Sequence, residues 1–177
     1  MSRSKNNELR KLVLSALFLS LGIVLPILTG QIKEVGDTLL PMHLPVMLCG
    51  LLCGAKYGFA IGLVLPFTRS LIFSMPPMYP NAVYMALELA TYGLVIGYFY
   101  HKLKINHFTK VYISLVLAQI SGRIIWAIAK TILLGIGGKT FTFEMFLMGG
   151  FIDASPGIML QLLIIPTVMA IIRRLQS

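Results

Sequence analysis

Charged residues are scarce in this 177-residue chain. They make up 12% of the sequence against 57% hydrophobic residues, and the mean hydropathy is +0.86. Soluble domains carry about 25% charged residues, so this composition excludes an ordinary soluble domain. We predict an all-α integral membrane protein, because lipid admits only helices or closed barrels and no alternating barrel pattern is present.

Cysteines and catalytic motifs are also few. The two cysteines, Cys49 and Cys53, lie in an apolar run without His, Asp or Glu at metal-ligand spacing, which favours packing over metal binding. No glycine-rich phosphate loop with its lysine occurs, which excludes nucleotide hydrolysis of that kind. An intramembrane enzyme using Glu88, Asp153 and His43 as acid–base groups is the weaker alternative, since no positioned nucleophile accompanies them. We expect a non-enzyme without metal or cofactor.

Apolar runs separated by breakers predict six transmembrane helices in one domain, residues 1–177. The predicted spans are 11–29, 38–54, 57–75, 79–100, 109–136 and 150–173. Each has roughly the 20 apolar residues that a bilayer requires. The first follows basic residues, as a signal peptide does, but it lacks a small-x-small cleavage site and is long enough to span, so we expect it to be retained.

Acidic residues number six against fifteen basic ones, a formal net charge of +9. Such an excess can indicate a nucleic-acid partner, but here the cations follow the predicted spans and mark one side of the membrane. Those on one side are Arg3, Lys5, Arg10, Lys11, Lys56, Lys102, Lys104, Lys110, Arg173 and Arg174. The opposite loops, predicted at 30–37, 76–79 and 137–149, hold only Lys33 and Lys139. The positive-inside rule therefore places both termini in the cytoplasm.

Five charged residues lie within the predicted spans away from the cytoplasmic ends, and each is a candidate functional residue. They are Arg69, Glu88, Arg123, Lys130 and Asp153. A charge at the centre of a membrane helix costs on the order of 2.5–3.5 kcal/mol, so it is seldom kept without a role. Three cations against two anions leave one positive charge unmatched, which favours a ligand with one carboxylate.

Polar and aromatic residues form two stripes at helical spacing on successive spans. The first stripe is Asn81, Tyr84, Glu88 and Tyr92, and the second is Gln119, Arg123, Trp126 and Lys130. The stripes should face one another, because turning either toward lipid is unfavourable. An ion pair that only locks the bundle is one interpretation; the aromatic residues beside the charges favour a small-molecule site. His43 is a further candidate, although a lone histidine is more often structural.

Small residues recur at a spacing of four on the first four spans. Gly50, Gly54, Gly58 and Gly62 lie around the junction of the second and third spans, Gly93 and Gly97 end the fourth, and Ala16 and Ser20 lie on the first. Such spacing lets helices approach closely in lipid. For the glycines, packing within the chain is favoured over a partner-binding face.

The order of these motifs resembles the substrate-binding S components of energy-coupling factor (ECF) vitamin transporters. The segments that carry the resemblance are "GDTLLPMHLPVMLCGLLCGAKYG", "PFTRSLIFSMPPMYPNAVYMALELATYGLVIGYFY" and "GGFIDASPGIMLQL". The resemblance implies a six-helix protein of the bacterial plasma membrane that binds one vitamin near its outer face. It also implies association with a transmembrane coupling subunit and two ATPase subunits, which use the ATP. The coupling surface would be Ala16 and Ser20, and the first outer loop would join the site, where it could act as a lid.

The identity of the vitamin is open at this point. The sequence resembles the pantothenate or folate group of S components, and pantothenate agrees with one excess cation. Folate, riboflavin, a pyridoxal-type vitamin and a hydroxymethylpyrimidine are alternatives. A purely structural membrane subunit is a third class, in which the two stripes would affect stability and not ligand affinity.

Overall fold

A computed structural model describes residues 2–28, 38–138 and 140–176 of the chain, and within these ranges no strand occurs. The α-helices there are α1 (Ser2–Leu28), α2 (His43–Cys53), α3 (Ala55–Phe73), α4 (Val83–Lys102), α5 (His107–Ile136), α6 (Phe143–Leu147) and α7 (Ser155–Gln176). Two π-type turns, Met78–Ala82 and Met148–Ile152, precede α4 and α7. The prediction of an all-α protein is confirmed for these residues.

Four segments of the described chain are long and apolar enough to cross a membrane. They are Lys5–Ile27, Met78–Lys102, His107–Ile136 and Phe143–Leu175. Helix α2 has 11 residues and is shorter than the predicted span 38–54; at 1.5 Å per residue it covers roughly 16 Å of an apolar layer about 30 Å thick. Helix α3 has 19 residues but includes Lys56 and Arg69, which lower its hydropathy. The six-span arrangement stays a prediction.

The outer surface of the bundle is apolar. Leu71 and Leu163, for example, are 75% and 70% exposed. Isolated exposed leucines are ordinary, but here large apolar side chains cover the outside of α1, α4, α5 and α7. A continuous apolar surface of this kind suits contact with lipid and would promote aggregation in water.

Helix α4 is the central element and packs against α2, α3 and α5. It approaches α2 and α3 closely because glycines line the contact. A Cβ atom on Gly50 or Gly58 would lie 2.6 Å from the carbonyl oxygen of Gly93, and one on Gly62 would overlap the backbone of Leu89. The glycine spacing therefore serves packing within the chain, which was the favoured interpretation.

The link between α2 and α3 is a single glycine. Gly54 has φ of 100°, in the region that other residues rarely adopt. This conformation ends α2 and starts α3 directly, and it holds the two helices side by side against α4. The close packing of α2 against α4 then determines which side chains of the two helices contact each other in the centre of the bundle.

Two apolar clusters form the core, one on each side of α4. The first joins α2, α4, α5 and α7 around Tyr92, Leu115 and Ile165. The second joins α1, α2, α3 and α4 and includes Cys49 and Cys53, which are free thiols. Both cysteines are buried among apolar side chains, as their sequence context predicted.

We expect Gly93→Ala to destabilise the protein by at least about 2 kcal/mol, because the added methyl group overlaps the backbone of Gly58 and the helices must separate. Thermal unfolding in detergent, followed by far-ultraviolet circular dichroism, measures the effect.

Gly135→Ala is the matched control for this substitution. Gly135 lies in the last turn of α5, where a Cβ atom would meet nothing within 4 Å. The control should leave stability unchanged or raise it slightly, through the higher helix propensity of alanine. Equal effects of the two substitutions would contradict the proposed close packing.

Candidate functional site

A buried polar cluster centres on the carboxylate of Glu88. Its Oε1 accepts a hydrogen bond from Arg123 Nη1 at 2.9 Å and one from Tyr92 Oη at 3.2 Å. His43 Nε2 lies 3.5 Å from the same oxygen, and the His43 ring packs edge-on against Tyr92 at 5.1 Å. Glu88 and Arg123 are 2% and 3% exposed. The two predicted stripes thus face one another, and His43 joins them from α2.

The helices place these side chains at one depth. Glu88 and Tyr92 are one turn apart on α4, and His43 is the first residue of α2. Gly122 leaves the space that the Tyr92 ring occupies, since a Cβ atom there would lie 2.7 Å from the ring. Small residues thereby allow a large aromatic ring and an ion pair to lie between α2, α4 and α5.

Arg123 retains hydrogen-bonding capacity after it has paired with Glu88. Its Nε and Nη2 atoms are buried and have no hydrogen-bond partner among the described residues. A guanidinium has five N–H donors, and leaving buried ones unpaired is unfavourable. Arg123 can therefore bind an additional acceptor, and its planar fork matches a carboxylate.

A second buried contact lies one turn along α5. Gln119 Nε2 donates to Gln161 Oε1 of α7 at 2.5 Å, and both residues are buried. The remaining amide atoms, Gln119 Oε1 and Gln161 Nε2, have no partner in the part of the chain that the structure describes. The amide pair, Arg123 and its partner Glu88 thus form one polar layer across α4, α5 and α7.

An aromatic cage around Lys130 lies above this layer, toward the end of the bundle that carries Met78–Ala82. The Lys130 ammonium lies 4.4 Å from the ring centroid of Trp126, 5.1 Å from that of Phe141 and 5.7 Å from that of Tyr84. Each distance is within the range of a cation–π interaction. Trp126 is also within 5.9 Å of the Arg123 guanidinium, so it connects the cage with the polar layer.

The segment that joins α5 to α7 covers the cage. Phe146 of α6 packs against Trp126 with ring centroids 6.4 Å apart. Gly150, in the turn Met148–Ile152, brings the backbone beside the same indole, where a Cβ atom would lie 3.6 Å from it. Trp126 is buried as a result. The arrangement is a polar layer beneath aromatic walls, as small-molecule sites require.

Three predicted site residues lie apart from this cluster. Arg69 is buried against α1, where its Nη1 donates to the carbonyl oxygen of Ile23 at 2.5 Å and its guanidinium lies over Phe73 at 5.2 Å. Pro26 lacks the N–H group that would donate to the carbonyl oxygen of Gly22, so this turn of α1 loses one backbone hydrogen bond, and Arg69 adds a donor at the neighbouring carbonyl of Ile23. Asn81 is half-buried in the turn before α4, and Asp153 is exposed before α7; neither bonds to Glu88 or Arg123 in the described residues.

Two further predictions concern other surfaces. Ala16 and Ser20 are both exposed on α1, beside exposed Leu17 and Leu21, so this face of α1 is open to lipid or a partner. The whole of the first outer loop, 30–37, lies outside the described residues, and its predicted lid role stays a prediction.

Sequence reasoning missed Gln161, Phe141 and Gly122. Gln161 is completely buried, and the signal for it was present: an amide side chain inside an apolar run is as unusual as a charge. Phe141 lies in an aromatic-rich loop segment whose contact with Trp126 depends on how the chain returns over α5. No local sequence pattern distinguishes Gly122 from the other helical glycines, because its role depends on the Tyr92 ring that packs against it.

The geometry defines a class of protein: a helical membrane protein with a buried polar cluster between its helices. Within the described residues, no group of His, Cys, Asp and Glu side chains is arranged to hold a metal ion. The family model "ECF transporter, substrate-specific component" matches residues 10–173. The chain therefore belongs to this family of membrane transport proteins, which bind a small substrate and work with a membrane coupling component and ATPases. The family is one of transporter components, not of enzymes. No curated protein and no solved structure matches it.

We expect the buried pair Glu88–Arg123 to be strongly coupled. Arg123→Met alone should destabilise the protein by about 3–5 kcal/mol, because it leaves a carboxylate buried without its partner. The double variant Glu88→Met/Arg123→Met should lose much less than the sum of the single variants. A double-mutant cycle from thermal unfolding in detergent measures the coupling.

The exposed pair Lys11–Glu8 is the control for this cycle. Its nitrogen and oxygen are 3.1 Å apart, similar to the buried pair, but both side chains are largely exposed. Solvent screening should make its coupling much weaker. Additive effects at Glu88 and Arg123 would contradict a structural ion pair.

Proposed function

We propose that this S component binds a small, water-soluble, anionic vitamin, with pantothenate as the first candidate. The observation that carries the proposal is the buried Arg123 guanidinium, which has two nitrogen atoms without a partner after it has paired with Glu88. A ligand carboxylate would complete its hydrogen bonds and add the negative charge that this part of the bundle lacks. The aromatic walls suit the apolar part of such a molecule.

The proposed site comprises the polar layer, the cage and the predicted residues at its margin. These are His43, Asn81, Tyr84, Glu88, Tyr92, Gln119, Arg123, Trp126, Lys130 and Asp153. In this proposal Arg123 binds the carboxylate, Glu88 and His43 hold Arg123 in place, and Trp126 and Tyr84 flank the ligand. Arg69 is assigned to the stability of the α1–α3 contact because its donor is directed at Ile23.

The proposed topology has six spans with both termini in the cytoplasm of a bacterial cell. Its support is the charge distribution: basic residues occupy the end of the bundle opposite Met78–Ala82, where α4 ends and α5 begins. The site then lies toward the outer face, where an uptake system meets its substrate. Partner subunits of the transporter supply the ATP hydrolysis.

Ala16 and Ser20 are proposed to contact the transmembrane coupling subunit. Both residues are small and exposed on α1, on the side of the bundle remote from α5 and α7. Small residues at this spacing allow a partner helix to approach closely. The contact would leave the ligand site untouched.

Binding of pantothenate to the purified protein tests the ligand assignment. Arg123→Gln should weaken it at least about 30-fold, because a buried charged hydrogen bond is lost. Panthenol, in which an alcohol replaces the carboxylate, should bind the wild-type protein weakly. Isothermal titration calorimetry in detergent gives the affinities, and mass spectrometry of the molecule released on denaturation identifies a co-purified ligand.

Arg69→Gln is the matched control, since it also removes a buried guanidinium. It should lower the thermal stability and leave the pantothenate affinity of the folded protein unchanged. Equal affinity of wild type and Arg123→Gln would refute the site. A released ligand without an acidic group would refute the choice of an anionic vitamin.

Assembly with the coupling subunit tests the surface on α1. Ala16→Trp should weaken complex formation about tenfold, because a bulky side chain prevents close approach of the partner helix. Ile128→Trp is the control: Ile128 is 51% exposed on α5, away from α1. Co-purification with the coupling subunit measures assembly. Normal assembly of the Ala16 variant would show that the contact lies elsewhere.

A further inference from the structure

The amide pair Gln119–Gln161 has unused hydrogen-bonding capacity in the interior of the bundle. The residues are 8% and 0% exposed, and they come from different helices, α5 and α7. One hydrogen bond joins them, from Gln119 Nε2 to Gln161 Oε1. Gln119 Oε1 and Gln161 Nε2 then lack a partner among residues 2–28, 38–138 and 140–176.

The unused capacity does not depend on how the two amides are oriented. If both amide groups were flipped, Gln161 would donate to Gln119, and the pair would again offer one spare acceptor and one spare donor. Burial of such groups without partners is unfavourable by an amount comparable to a lost hydrogen bond. The pair is therefore complementary to a molecule with an adjacent acceptor and donor, as in an amide.

The amide pair is next to the proposed carboxylate site. Gln119 and Arg123 are four residues apart on α5, so they share one face of the helix, with Cβ atoms roughly 5–6 Å apart. The unpaired nitrogen atoms of Arg123 are thus next to the unpaired amide atoms of Gln119 and Gln161. One small molecule can reach both if its anionic group and its amide are separated by a short chain.

We propose that Gln119 and Gln161 form a subsite that recognises an amide, or an amide-like ring edge, of the substrate while Arg123 binds its anionic group. This inference rests on the proposed function and narrows the substrate class. Gln161 becomes a specificity-determining residue on α7, a helix that otherwise contributes only apolar side chains to the described core. Vitamins without such an edge, the pyridoxal type among them, should bind poorly.

The test compares pantothenate with its thioamide analogue, in which sulfur, a weak hydrogen-bond acceptor, replaces the amide oxygen and the N–H is kept. Wild-type protein should bind the amide roughly 10- to 100-fold more tightly, because the thioamide leaves the buried donor Gln161 Nε2 without a good acceptor. In Gln161→Met this ratio should fall to about one. The ratio is a readout that a merely structural role of Gln161 would not change.

Met169→Leu is the matched control, since it alters a buried side chain of α7 without touching the amides. It should keep the amide-to-thioamide ratio of the wild type. Thermal unfolding establishes that each variant is folded. If Gln161→Met does not fold, Gln161→Glu replaces it, because a glutamate keeps the acceptor toward Gln119 and lacks the spare amide donor.

The outcomes separate this inference from the proposed function. Tight binding of pantothenate with an unchanged ratio in the Gln161 variant overturns the amide subsite and leaves the proposed function intact. If pantothenate does not bind, the same variant is titrated with folate and riboflavin, whose rings carry adjacent donors and acceptors. Weaker binding of either by the variant supports the subsite, and equal binding overturns it. The subsite is also overturned if the wild-type protein binds pyridoxal, or if it binds none of the probes that carry adjacent donors and acceptors.

Discussion

The ion pair between Glu88 and Arg123 is the interaction on which the rest of the bundle interior depends. Two charges in an apolar interior are stable only when they are paired and their remaining donors and acceptors are satisfied. Tyr92 and His43 lie against the same carboxylate oxygen, so a single atom connects α2, α4 and α5. Arg123 still has two buried nitrogen atoms without a partner among the described residues, and this unused capacity is the reason we propose that an anionic ligand binds in this layer.

Close packing of helix backbones supports this arrangement. The glycines between α4 and the α2–α3 pair let the helices approach until backbone atoms touch, and that approach brings His43 to Glu88. In lipid, where apolar side chains gain little from leaving their surroundings, such contacts and interhelical hydrogen bonds hold a bundle together. The same glycines therefore serve stability and the geometry of the site.

Much of the site followed from periodicity. The spacing of four on α4 and α5 indicated that Glu88 and Arg123 belong to facing stripes, and their contact is observed. The charge count correctly marked the spans as containing more cations than anions, but it could not tell that Arg69 is directed toward Ile23 of α1. That contact joins residues 46 positions apart, on α3 and α1, and no local pattern predicts it. The predicted span 38–54 was longer than α2 because its apolar composition continues through residues 40–42, where Leu40 has a positive φ and the helix is interrupted.

The sequence by itself determined the class of this protein: a helical membrane chain with polar stripes on two successive helices. Composition and a period of 3.6 residues are properties of local segments, and lipid leaves few alternatives for satisfying the backbone. Only the tertiary structure decided that Gln161 meets Gln119, that Phe141 closes the cage around Lys130 and that Arg69 serves α1. These contacts join segments far apart in the chain, and their partners are set by how helices cross and rotate, which no local pattern encodes.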